Sequence, residues 1–164
     1  MNAAHIHLIT NHAPLFGALI GVIILIVGMI RNTITIKKTA LWVLLFGGLV
    51  AIPAFLSGEP AEEVIENMQG ISKSVIHEHE EAGELALIVS IALGLLSALA
   101  LWLYRGTSKY RAHTTVLVLV CGLAVCVIMA WTSNLGGEIR HPEIRGDSAL
   151  IKGIPLGVKA DDDH

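Results

Sequence analysis

Four uninterrupted apolar runs, at about 14–30, 40–56, 83–104 and 114–133, decide what this chain can fold into. An α-helix of about 20 residues crosses the roughly 30 Å hydrocarbon layer of a bilayer. Inside lipid every backbone N–H and C=O must be paired within the structure, which leaves helices or closed barrels. These runs lack the two-residue alternation of barrel strands, so the expected fold class is all-α, an antiparallel four-helix transmembrane bundle. It occupies residues 1–133, with an outer loop at 57–82 and a tail at 134–164. In 164 residues that are 54% hydrophobic and 15% charged, no stretch is left for a separate soluble domain.

The edges of the runs carry helix and interface signals. Pro14 suits a first helical turn, where its missing N–H costs nothing; alternatively a helix starts near Ala4 and bends at Pro14. Gly17, Gly21 and Gly28 put small residues on one side of the first span, which lets a neighbouring helix come close. Trp42, Trp102, Tyr104 and Trp131 mark membrane interfaces. In the 57–82 loop, Pro60–Met68 reads as a short amphipathic helix that Gly70 breaks. Past the fourth span, Gly136 and Gly137 read as a flexible pair, and the tail is too rich in Gly and Pro to predict a helix. Cys121 and Cys126 diverge around the fourth helix and read as two buried thiols. The Met1–His5 stretch has no Lys or Arg and so lacks the basic start of a secretory signal.

Charge sets the expected orientation. Arg31, Lys37, Lys38, Arg105, Lys109 and Arg111 lie in two short loops with no acid, and all 14 Asp and Glu residues lie on the opposite side. The positive-inside rule places the basic loops in the cytoplasm and both termini, with a polar cap, outside it. The expected location is the bacterial inner (plasma) membrane, in contact with lipid.

Chemistry concentrates at His77-Glu78-His79-Glu80-Glu81-Ala82-Gly83-Glu84, which leads directly into the third span. Ionisable groups at a bilayer entrance are costly and mark functional sites. His12 caps the first span, His79 opens the third, and His141 follows the fourth. Imidazoles from two helices at one depth are the arrangement that ligates a haem iron axially. On the face of His79, Gly83, Ala86 and Ser90 are expected to leave room for a flat macrocycle, with Arg140, Arg145 and Lys73 as cations for its propionates. The candidate axial pair is His79 with His12, and His141 is the substitute. The same three histidines, with Glu78, Glu80 or Glu81, offer N and O ligands for a zinc or copper ion instead. The bland reading is a polar cap of interfacial histidines hydrogen-bonded to glutamates. On a helix His77 and His79 point in nearly opposite directions and cannot share one ion. Phosphate-binding glycine loops, a nucleophile elbow, a covalent haem-attachment motif and a basic nucleic-acid stripe are all missing from the sequence.

Four segments together resemble a family of small four-span bacterial membrane proteins of Bacteroidetes-type lineages. They are Asn11-His12-Ala13-Pro14-Leu15-Phe16-Gly17, Ala51-Ile52-Pro53-Ala54-Phe55-Leu56-Ser57-Gly58-Glu59-Pro60-Ala61-Glu62-Glu63, His79-Glu80-Glu81 and Asn134-Leu135-Gly136-Gly137-Glu138-Ile139-Arg140-His141. The resemblance implies a four-helix membrane domain with His12, His79 and His141 in motif positions and a layout similar to membrane b-type cytochromes. The function expected on this footing is a haem-b electron-transfer subunit of a larger respiratory or photosynthetic membrane complex. The alternatives are a Zn- or Cu-binding membrane protein and a cofactor-free assembly subunit.

Overall fold

The computed structural model describes residues 3–66, 68, 71–141 and 144. The expected break at Gly70 and most of the expected tail, with Arg145, lie outside these residues. The described residues form six helices and no strand: α1 (Ala3–Thr10), α2 (Ala13–Ile30), α3 (Ile34–Leu56), α4 (Gly58–Ile65), α5 (Lys73–Leu103) and α6 (Arg111–Arg140). Four helical stretches are long and apolar enough to cross a membrane: Ala4–Ile30, Ile34–Ile65, Lys73–Leu103 and Arg111–Arg140. The chain is therefore a helical, multi-pass membrane protein.

Three helices reach further than the apolar runs, α3 by starting at Ile34. α5 begins at Lys73, so the polar stretch His77–Glu84 is helical and continuous with the third span. α6 runs through Gly136 and Gly137 to Arg140, so the expected tail starts later than 134. A helix tolerates this Gly pair because the flanking Thr132, Leu135 and Ile139 are buried and fix it by packing. α4 matches the expected amphipathic helix, shifted to begin at Gly58.

The four long helices form a ring in which α2 touches α3 and α6, and α5 touches α3 and α6. Their directions alternate. Gly17 meets Gly47, Gly21 meets Leu44 and Gly28 meets Lys37, so the register of α2 on α3 runs backwards along the pair. The inner surface combines small residues, Ala18, Gly21 and Gly28 on α2, Ala40, Gly47, Gly48 and Ala51 on α3, Ala86, Ser90, Gly94 and Ser97 on α5, with buried large ones such as Leu25, Leu41, Leu44 and Val118. Large apolar residues such as Phe16, Ile23, Phe46, Leu95 and Val127 point outward. Lipid is as apolar as leucine, so helices associate through close van der Waals packing rather than through burial of large side chains. At the α3–α5 crossing a Cβ on Gly48 would stand 2.6 Å from the carbonyl oxygen of Ser90, so only glycine permits that approach.

The basic end is tied by polar contacts. Asn32, at φ 47°, turns the chain between α2 and α3; Asn accepts this left-handed region more readily than most residues. The buried Tyr104 hydroxyl is paired with Thr115 Oγ1 at 3.0 Å, and Thr115 donates to the Arg111 carbonyl at 2.8 Å. Arg111 Nε donates to the Leu103 carbonyl at 3.2 Å, joining the end of α5 to the start of α6.

Candidate functional site

At the acidic end, about half a turn of α5 separates two histidines with opposite environments. His77 is exposed and lies beside its own helix neighbours, 3.7 Å from Glu80 and 3.3 Å from Glu81. His79 turns inward against α6. Its Nδ1 lies 3.0 Å from the carbonyl oxygen of Thr132. A carbonyl oxygen only accepts, so Nδ1 carries the proton and donates. The Thr132 hydroxyl donates back to the Ala82 carbonyl of α5 at 3.2 Å and to Ile128 at 3.0 Å. α5 and α6 are thus stitched twice within one turn of His79.

The ring of His79 lies across α6 in the space left by Gly136. A Cβ there would stand 3.0 Å from His79 Cε1 and 3.4 Å from its Nδ1. Gly136 and Thr132 are four residues apart, hence on one face of the helix.

The sequence pairs His79 with His12; the structure sets the ring of His7 beside it. The two imidazole centroids are 6.4 Å apart with planes at 84°. His7 is on α1, and its Nδ1 lies 3.1 Å from the Ala54 carbonyl and 3.2 Å from Ser57 Oγ, at the end of α3. Ser57 donates its own proton to the Ala54 carbonyl at 2.9 Å, which leaves its oxygen free to accept from His7. Gly58 gives the His7 ring room, with Cε1 3.7 Å from where a Cβ would stand. Both histidines therefore donate through Nδ1 to main-chain carbonyls, and both keep Nε2 as an uncommitted lone pair. A hydrogen bond of this kind fixes the tautomer and raises the basicity of an imidazole that ligates metal.

The other expected residues are exposed. His12 is exposed at the α1–α2 junction, where it precedes the first turn of α2. His141 is exposed just past α6, its N–H bonded to the Gly137 carbonyl at 3.1 Å. Arg140 is exposed and donates to Met68 Sδ at 3.8 Å. It lies one turn beyond Gly136 on the same α6 face. Lys73 pairs with Glu66 at 3.8 Å.

The face of Gly83, Ala86 and Ser90 does not hold an open slot. Phe55 lies 3.9 Å from the Cβ position of Gly83, Ala86 is in the core, and the Ser90 backbone is met by Gly48. These small residues serve the approach of α3. Among the described residues, no three His, Cys, Asp or Glu side chains gather around one point.

Compared with protein families, with curated proteins and with solved structures, the chain gives no match.

Proposed function

We propose that this chain is a haem-b-binding electron-transfer subunit of the bacterial inner membrane, with His7 and His79 as the axial ligands. The supporting observation is the pair itself: two imidazoles from different helices, each with Nδ1–H given to a main-chain carbonyl and Nε2 left over. The two rings are 6.4 Å apart, near enough that both side chains would reach one bound group. Zinc sites draw three or four ligands from the protein. A haem brings its own four nitrogens and needs only the axial pair, so a two-imidazole site suits it better than a bare ion.

In this reading the basic loops are cytoplasmic, and the histidine site and both termini lie on the other side. A bound haem supplies one-electron transfer. His7 and His79, oriented by Ala54, Ser57 and Thr132, would hold it, and Arg140 would offer a cation to a propionate. The short loops leave little surface for a soluble substrate, which favours a place among the subunits of a larger respiratory or photosynthetic complex. The resemblance to small four-span bacterial membrane proteins with a b-type cytochrome layout points the same way. Visible spectra of the purified protein, oxidised and dithionite-reduced, test the reading. Metal analysis of the same sample tells haem iron from zinc or copper.

A further inference from the structure

We propose that Thr132 and Gly136 form a saddle on α6 that sets both the proton position and the aim of His79, making Gly136 a positioning residue for the site. The Thr132 carbonyl, 3.0 Å from Nδ1, demands a proton there. Gly136, one turn on, is where the ring must pass to reach that carbonyl, and a methyl group at this position would stand 3.0 Å from Cε1. That separation is shorter than a relaxed carbon–carbon contact of about 3.5–4.0 Å. The ring has little freedom to yield. It is held to Thr132 on α6 and rooted in α5, and the Thr132 hydroxyl bonded to Ala82 fixes those two helices against each other. An alanine at 136 therefore displaces the imidazole and lengthens its bond to Thr132. The neighbouring glycine is a control within the same helix turn. Among the described residues, a Cβ on Gly137 meets Ile144 Cδ1, at an ordinary 3.7 Å. Gly136→Ala and Gly137→Ala gain the same helix propensity, and only the first touches His79.

The saddle can be tested without any cofactor; only the aim toward haem rests on the function proposed above. The experiment uses the full chain in detergent with ¹⁵N-labelled histidine. Long-range ¹H–¹⁵N spectra report which ring nitrogen carries the proton, and His79→Gln assigns the His79 signals. The wild type should show His79 as the Nδ1–H tautomer. In Gly136→Ala those signals should move or split, while in Gly137→Ala they should match wild type. Unchanged His79 signals in Gly136→Ala, or equal changes in both variants, would overturn the saddle. Spectra after haem addition form the second arm. Low-spin haem should be bound by wild type and Gly137→Ala, and weakened or lost in Gly136→Ala. Equal low-spin binding by Gly136→Ala and wild type would overturn the positioning role. If no variant binds haem while the tautomer results hold, the cytochrome reading falls and the saddle stands.

Discussion

His79 gives its Nδ1 proton to the carbonyl of Thr132, a residue 53 positions further on, at 3.0 Å. This single bond converts the most polar turn of α5 into part of the helix interface. It separates His79 from His77, which faces outward to Glu80 and Glu81. The matching bond from His7 to Ala54 does the same for α1 and α3. The two rings then lie edge to face at the bundle's acidic end, their centroids 6.4 Å apart.

The first prediction concerns which histidines matter. His7→Gln and His79→Gln should each abolish a six-coordinate low-spin haem spectrum, because an amide is a poor ligand for haem iron. His12→Gln and His141→Gln should leave it in place, since both side chains are exposed. Haem content and absorption spectra of the four variants decide this. A spectrum that survives His7→Gln but not His12→Gln would restore His12 as the second ligand.

Close packing at the α3–α5 crossing makes Gly48 intolerant of a side chain. Gly48→Ala should cost about 1–3 kcal/mol, the usual range for overpacking, because the obstacle is the Ser90 backbone at 2.6 Å rather than a side chain that can rotate. Gly106→Ala, where no atom of the described residues lies within 4 Å, should be close to neutral. Thermal unfolding in detergent compares the two, and similar stability for both variants would contradict the packing argument.

Tyr104 and Thr115 close the basic end with a buried hydroxyl pair at 3.0 Å. Tyr104→Phe keeps the ring and removes the bond, so a loss of about 0.5–1.5 kcal/mol is expected. Thr115 retains its bond to the Arg111 carbonyl, which keeps the loss at the low end of that range. Denaturation midpoints measure it. A variant as stable as wild type would mean that the pair contributes nothing net.

Orientation has its own test. With Cys121 and Cys126 replaced by alanine, Lys37→Cys and Lys109→Cys should react with an impermeant thiol reagent only after the cell is opened. Labelling of either site in intact spheroplasts would reverse the topology.

Much of this architecture is legible in the sequence, because apolar runs of spanning length leave few alternatives to helices. The Gly17, Gly21 and Gly28 face is legible for the same reason, and it does pack on α3. The second histidine was readable but easy to miss. Counting back along the buried face of α2 from Gly28 through Leu25, Gly21, Ala18 and Pro14 continues to Asn11 and then His7, in alternating steps of three and four. His12 and His5 fall off that stripe. The junction at Asn11 and His12 breaks the helix and hides the continuity. Gly136 was misleading in another way. Read locally, a Gly-Gly pair signals a loose chain, yet its purpose here is set by a ring on α5, a contact no local pattern encodes.

The central claim is that His7 and His79 together hold a haem, and the dithionite-reduced minus oxidised spectrum of the purified wild-type protein tests it most directly. The account predicts the sharp α and β bands of a low-spin, bis-histidine b-type haem. A preparation of folded protein that shows no such bands, even after haem is supplied, would contradict it.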